Sequence, residues 1–270
     1  MRNIDNEMSE IQLVCIDLDG TLLNRKGEIS KACISEFGKI LNEGLDVAIV
    51  TGRPYRFAKH IRNQIDRRIK IISFNGNYLD FNGRIAAYPV EQKALEQTME
   101  IISGWSTEAF FKSESTVICF NSNSTRFTYE ENLMMTKRYV DLVMLREAIE
   151  DPLYKIFLYN VDPVVLLSQK KELAKLTDLS IISYDNIAFE ILAPERHKGI
   201  AVEEMAAYLG ISKKNILCIG DGVNDIEMFS SSGYKVAMGN ASEEIHNLAD
   251  FVTATNENEG VLKVLKMLSV

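Results

Sequence analysis

Ile11-Gln12-Leu13-Val14-Cys15-Ile16-Asp17-Leu18-Asp19-Gly20-Thr21 sets an apolar run directly against two carboxylates one residue apart, then a glycine and a hydroxyl. A short run of Ile, Leu, Val and Cys reads as a strand of a parallel sheet, because such strands are covered on both faces. Ligands of open α/β sheets bind just beyond the carboxyl ends of the strands. Adjacent acids at that place repel each other and are costly to bury unless a cation or a bound group uses them. A solvated acid pair with Gly20 as an ordinary turn would account for Asp-x-Asp alone. The longer Asp-x-Asp-Gly-Thr at a strand end favours function.

Working outward, two further strand ends and one helix start have the same character. Leu45-Asp46-Val47-Ala48-Ile49-Val50 ends in Thr51-Gly52-Arg53, a hydroxyl and then a glycine that lets backbone N–H groups approach an anion at a helix start. Thr-Gly by itself is also a simple turn, and its placement is what gives it weight. Asn215-Ile216-Leu217-Cys218-Ile219 ends in Gly220-Asp221-Gly222-Val223-Asn224-Asp225, where two glycines permit a tight loop presenting three oxygen-bearing side chains. Hard oxygen ligands suit Mg²⁺, and the run lacks the periodic acids and closing Glu of an EF-hand. Lys198 opens the helix that leads to this strand. A lone lysine at a helix start is ordinarily solvated, but here it is also placed to neutralise a carboxylate and a phosphoryl group.

Between these points the chain alternates strand and helix up to residue 77: a strand at 11–17, a helix at 30–42 closed by Gly44, a strand at 45–50, a helix from Pro54 to 65 and a strand at 69–74. A hairpin turning at Asn82-Gly83 is predicted over 78–90. The pattern then changes, with helices expected near 91–103, 130–148 and 163–176 and strand segments at 108–120, 154–160 and 179–193. The α/β rhythm returns with a helix at 199–209, the strand at 215–219, a short helix at 225–231 and a strand at 234–238. A chain of 270 residues fits a core with a second, smaller domain. The reading is therefore α/β: a Rossmann-like parallel-sheet core from residues 1–83 and 191–270, with an inserted α+β domain at 84–190.

The formal charge of −8 argues against a nucleic-acid surface. It would also repel a phosphorylated substrate, unless a divalent cation and a local Lys or Arg reverse the sign at the site. Cys15, Cys33, Cys119 and Cys218 form no C-x-x-C pair and read as buried thiols in a reducing compartment. The start of the chain lacks the basic and apolar segments of a signal peptide, and no apolar stretch reaches membrane-spanning length, so a cytoplasmic protein is expected. His60 and His246 lack partners at metal or triad spacing. The basic residues Arg62, Arg67, Arg68 and Lys70 read as a solvated face. Trp105, Phe110, Phe111, Phe120, Phe127, Tyr129 and Tyr139 read as packing of the inserted domain. No G-x-G-x-x-G and no Walker-type lysine loop occurs.

Taken in order, these elements resemble the haloacid dehalogenase (HAD) superfamily of aspartate-nucleophile phosphatases. Asp17-Leu18-Asp19-Gly20-Thr21 is like its first motif, Thr51-Gly52 its second, Lys198 its third and Gly220 to Asp225 its fourth. The long insertion, Ser73-Phe74-Asn75-Gly76, Ala237-Met238-Gly239-Asn240-Ala241 and Gly260 resemble the Cof-type subfamily with its large α/β cap. Asn77 stands where the family often has Ala, and His197 where it often has a small or polar residue; His197 is thereby a candidate modulator of the Lys198 pKa. The resemblance implies a Mg²⁺-dependent phosphatase of small phosphorylated metabolites. In it Asp17 attacks phosphorus, and Asp19 serves as acid and then base while its backbone carbonyl meets the metal. Leu18, Thr51 and Gly52 supply N–H groups to the phosphoryl oxygens, and Lys198 and Asn224 hold Asp17 and the phosphate. Asp221 completes the metal shell with Asp17, and Asp225 joins through water or orients Lys198. The implied partner is a small phosphate monoester, with no nucleic acid and no membrane, bound by a monomer or weak homodimer. Sugar phosphates, nucleotides and cofactor phosphates all remain open as substrates. A phosphomutase of the same superfamily and a non-catalytic regulatory module retaining the fold are the alternatives.

Overall fold

The computed structural model describes residues 8–121, 135–176, 179–183 and 187–269. The opening apolar run forms β1 (Leu13–Ile16), buried along its whole length. It pairs in parallel with β2 (Asp46–Val50) on one side and β12 (Ile216–Gly220) on the other. β3 (Lys70–Ser73) continues in parallel outside β2, and β13 (Tyr234–Ala237) and β14 (Phe251–Val252) do so outside β12. A hairpin of β4 (Tyr78–Asp80) and β5 (Ile85–Ala87), turning at Asn82-Gly83, completes the sheet in the order β14-β13-β12-β1-β2-β3-β4-β5. The chain thus builds outward from β1 in both directions. The strand order reverses beside it, and a ligand site is expected at that reversal.

Helices connect these strands. α1 (Lys31–Asn42) starts where the Ser30 hydroxyl accepts the Cys33 N–H at 3.1 Å and buries Cys33, Phe37 and Ile40. That spacing is one stripe of a 3.6-residue period. α2 (Tyr55–Ile65) follows Pro54, and α6 (Lys198–Leu209) precedes β12. The short α7 (Ile226–Ser230) and α8 (Glu243–Leu248) flank β13. α9 (Gly260–Leu268), for which the sequence reading placed no helix, packs on α1 and buries Val261, Leu262, Val264, Leu265 and Leu268.

The chain divides into two compact units, one of Met1–Arg53, Ala58–Ala86 and His197–Val270, the other of Pro54–Phe57 and Ala87–Arg196. The second unit contains a sheet ordered β10-β11-β9-β6-β7-β8, made of β6 (Glu108–Lys112), β7 (Thr116–Phe120), β8 (Thr136–Val140), β9 (Lys155–Tyr159), β10 (Ser180–Ser183) and β11 (Ala188–Leu192). Its pairs are antiparallel except β7 with β8. α3 (Gln92–Ile102), α4 (Leu142–Ala148) and α5 (Pro163–Leu173) accompany it. Leu95, Met99 and Ile102 from α3 and Leu166 from α5 pack with Phe111, Ile118, Ile156 and Leu158 of the sheet.

Several expectations are corrected in this unit. The segment 108–120 is two strands, broken where the Ser113 hydroxyl accepts the N–H groups of Ser115 and Thr116. The segment 179–193 is likewise two antiparallel strands. Among the described residues of the helix expected at 130–148, residues 136–140 form β8 by pairing with β7, and the helical part is Leu142–Ala148, capped by Asp141. Strand preference depends on cross-strand partners more than on the segment itself. Phe111 and Phe120 are buried in this interior with Trp105 packed against it, and Phe110 is buried in a separate cluster with Val117 and Cys119, whereas Tyr139 is 54% exposed. Phe127 and Tyr129 lie outside the described residues.

The basic cluster is also corrected. Arg62 and Lys70 are buried, paired with Asp80 at 2.8 Å and Asp46 at 2.5 Å, while Arg68 pairs with Asp66 at the surface. All four cysteines are buried and free, with Cys15 opposite Cys218 in the β1–β12 register. Among the described residues no helix is long and apolar enough to cross a membrane.

Candidate active site

Beyond β1 the Asp17 N–H still donates to the Ile219 carbonyl, continuing the ladder and placing Asp17, itself buried, at the carboxyl end of the strand. The chain then curls back, with the Leu22 N–H donating to the Asp17 carbonyl and the Leu23 N–H to that of Leu18. Gly20 sits at φ +80°, and a Cβ there would overlap the Asp221 carboxylate. Only glycine meets both conditions. The next residue, Thr21, donates its hydroxyl to Asp221 Oδ1 at 2.7 Å. The residues after the first Asp therefore bring the loop that follows β12 against the loop that follows β1.

That loop is tied by Asp225, whose Oδ2 accepts the N–H groups of Asp221 and Gly222 at 3.0 and 2.9 Å. Its Oδ1 receives Lys198 Nζ at 2.7 Å, and the same ammonium donates to Asp17 Oδ1 at 2.5 Å. Lys198 has no exposed surface at all, in contrast to the solvated lysine that a helix start ordinarily suggests. Burial would lower its pKa, but Asp17 and Asp225 more than offset this and hold it above the ordinary value, so the ammonium stays charged. The His197 ring is engaged with the backbone. The imidazole Nδ1 accepts the Ile200 N–H at 3.3 Å and caps α6.

Burial acts most strongly on Asp17 and raises its pKa well above the ordinary carboxylate value; Lys198 opposes this, and Asp225 and Asp19 add to it. Asp221 is pushed up to about 6, again chiefly by burial, against the Thr21 hydrogen bond. Asp17, Asp221 and Asp225 offer oxygens within 4.8 Å of one another. A single buried ammonium does not balance this charge. The all-oxygen donor set and the surplus of negative charge fit a hard divalent cation.

The second strand end lies in the same unit. Thr51 is buried, its hydroxyl accepts the Arg53 N–H at 3.1 Å, and its carbonyl accepts the Asn75 N–H. Asn75 Oδ1 in turn accepts Asn224 Nδ2 at 3.3 Å, and a Cβ on Gly52 would lie only 3.0 Å from that oxygen. Phe74 and Asn75 both adopt left-handed backbone, at φ 50° and 52°. Two buried non-glycine residues in that region store strain, on the order of 1–3 kcal/mol each. Arg53 grips Asp19 through two hydrogen bonds, Nε to Oδ2 at 2.8 Å and Nη2 to Oδ1 at 2.7 Å. The Asp19 carboxylate is thus apart from the three-acid cluster. Arg53, Asn75, Thr21 and Asn240 hold this arrangement, although the sequence reading assigned them no role. Their signal was only that each lies within or beside a segment already singled out.

A family model for haloacid dehalogenase-like hydrolases matches residues 14–265. The chain belongs to this family. Among its relatives is the 5-amino-6-(5-phospho-D-ribitylamino)uracil phosphatase of Bacillus subtilis, 27% identical over 94% of this chain and 96% of that protein. The phosphoglycolate phosphatase of Archaeoglobus fulgidus is 24% identical, with 97% and 99% covered. The solved structure of a HAD-like hydrolase from B. subtilis superimposes with a TM-score of 0.82 at 24% identity, covering 95% of this chain and 99% of that one. The shared HAD fold is the parallel core sheet with its cap, and the chain is a phosphoric monoester hydrolase of this family.

Proposed function

We propose that this HAD phosphatase hydrolyses small phosphorylated metabolites through an aspartyl-phosphate on Asp17, with Mg²⁺ as cofactor. The observation that carries the reading is the fully buried Lys198 bridging Asp17 and Asp225, beside an Asp221 whose position is fixed by the first strand's own loop. An Asp17 oxygen forms the bond to phosphorus as the bond to the leaving oxygen breaks, and Asp19 gives that oxygen a proton. Asp19 then takes a proton from the water that attacks the aspartyl-phosphate and releases inorganic phosphate. Arg53 occupies both Asp19 oxygens, so that pair must open for the carboxyl to reach the leaving oxygen. Leu18, Thr51 and Gly52 offer backbone N–H groups to the phosphoryl oxygens, with Lys198 and Asn224 completing the cradle. The cation would be held by the side chains of Asp17 and Asp221 and the Asp19 carbonyl, and would neutralise charge on the transferring group. Asp225 Oδ2 accepts two backbone N–H groups and Oδ1 the Lys198 ammonium, so it orients Lys198 and the loop, and the remaining Oδ1 lone pair would let it join the metal shell through water.

The second unit is proposed as the cap that selects the substrate. The names of the relatives favour esters in which phosphate sits on a small hydroxylated carbon chain, as in a phosphoribityl group or phosphoglycolate. Free phosphate release from a panel of sugar, polyol, nucleotide and cofactor phosphates, with and without Mg²⁺, tests the class and separates hydrolysis from phosphoryl return to substrate. Asp17→Asn is expected to lower turnover by at least ~10³-fold, since the amide is a poor nucleophile. Near-normal turnover in that variant would overturn the mechanism.

A further inference from the structure

We propose that Asn240 is a positioning residue for the cation, setting the Asp221 carboxylate and the Gly20 peptide against each other; this rests on the reading of the acid cluster as a Mg²⁺ site. Asn240 lies just past the carboxyl end of β13, where the Met238 N–H donates to the Gly220 carbonyl at 3.0 Å and keeps the chain beside the end of β12. One side-chain nitrogen reaches both of the loops that form the cluster. Nδ2 donates to the Gly20 carbonyl at 2.8 Å and to Asp221 Oδ2 at 3.3 Å. With Thr21 on Oδ1, both Asp221 oxygens are hydrogen-bonded, and each keeps a lone pair for a ligand role.

The orientation of the amide is itself fixed. Asn240 Oδ1 accepts the backbone N–H of Asn256 at 3.0 Å, a group that can only donate, so the NH₂ must face Gly20 and Asp221. Asn256 then donates its own Nδ2 to the Leu23 carbonyl at 2.9 Å, closing a ring back onto the turn that begins at Asp17. Gly239 holds the base of this ring, because a Cβ there would lie 2.9 Å from the Thr253 carbonyl oxygen. Asparagine is suited to the place: it donates twice and accepts once, whereas an aspartate would set a third acceptor against Asp221. The carbonyl it holds belongs to the peptide next to that of Asp19, the backbone group assigned to the metal. Hydrogen bonds of this kind orient metal ligands, and their loss typically costs 10–100-fold in metal affinity.

The test is Mg²⁺ titration by calorimetry on the full-length, chelator-treated protein, wild type against Asn240→Ala and Asn256→Ala, together with turnover of an aryl phosphate as a function of Mg²⁺. Asn240→Ala is expected to raise the Mg²⁺ dissociation constant about 10-fold. The Mg²⁺ concentration for half-maximal turnover should rise in parallel, with the lost turnover relieved by added Mg²⁺ and the metal-free melting temperature unchanged. Asn256→Ala keeps the backbone N–H that fixes the Asn240 amide and removes only the link from the Asn256 side chain to the Leu23 carbonyl, loosening the loop that carries that N–H, so a smaller rise is expected; this variant carries the test if Asn240→Ala does not fold. An unchanged dissociation constant in both variants overturns the proposal, as does a loss of turnover equal at all Mg²⁺ concentrations with a lowered melting temperature. Absence of Mg²⁺ binding by the wild-type protein would instead overturn the metal reading on which the proposal rests.

Discussion

Asp221 is held by Thr21 and Asn240 in a place where, without a cation, its charge is unwelcome. Its carboxyl has a higher pKa in the folded chain than the ordinary 3.8, at about 6, so folding binds a proton and ionisation works against the fold. That cost is absent below the ordinary value, grows as pH rises between the two values and is complete above about 6. Its size is on the order of 3 kcal/mol. Asp221→Asn keeps an oxygen for the Thr21 hydroxyl and removes the charge. In chelator, the variant should therefore melt above wild type at neutral pH and lose that advantage as the solution is acidified toward the ordinary carboxylate value. Added Mg²⁺ should reverse the order, since only wild type offers the ligand. Differential scanning calorimetry at two pH values, with and without the metal, checks this, and a variant that melts below wild type in chelator at neutral pH would show the carboxylate to be stabilising. Such a residue, costly to the empty fold and needed by the site, is what a functional group looks like in energetic terms.

Helices α6 and α7 meet at Gly199, where a Cβ would run into the backbone carbonyl of Glu227 and the Ser231 hydroxyl. Two effects of Gly199→Ala oppose each other. Alanine is better in a helix by about 1 kcal/mol, whereas overpacking against backbone that cannot yield costs about 1–3 kcal/mol. The second should win, lowering stability in urea unfolding. It should also reduce turnover, because Lys198 is the neighbouring residue and its ammonium must stay on Asp17 and Asp225. A variant more stable than wild type would mean that the α6–α7 contact is soft. This element also shows where the sequence is readable. The strand and turn of the first acidic motif lie in one run, so pattern, glycine and carboxylates speak together. The burial of Lys198 was not readable, because its partners stand 181 and 27 residues away. The same holds for β8, where residues 136–140 take strand form from pairing with β7, and for Arg62 and Lys70, whose carboxylate partners come from β4 and β2. Asn240 was legible as a resemblance only, since its work depends on Gly20, 220 residues earlier.

At the scale of the whole chain, the second unit forms its own sheet and interior, with every strand pair of that sheet made within it. Replacing Ala87–Arg196 by a short Gly/Ser connection should leave a core that still binds Mg²⁺ and acts on a small activated ester, while discrimination among natural esters is lost. Rates on a substrate panel check this in a soluble, folded product, and an undiminished ranking would place selectivity in the core. The register of β1 has a consequence of another kind. Leu13 pairs with Asp46 on one side and with Ile216 on the other, about 200 residues later. During synthesis, then, β1 has one open edge and Asp17 lacks its ammonium partner until α6 and β12 have left the ribosome, whereas the inserted unit has all its strands earlier. Domains fold as units as they emerge, so the order of assembly runs from insertion to core. The active site comes into being only after the insertion, and a ribosome that stalls before residue 198 holds a chain that can form its insertion but not its catalytic centre.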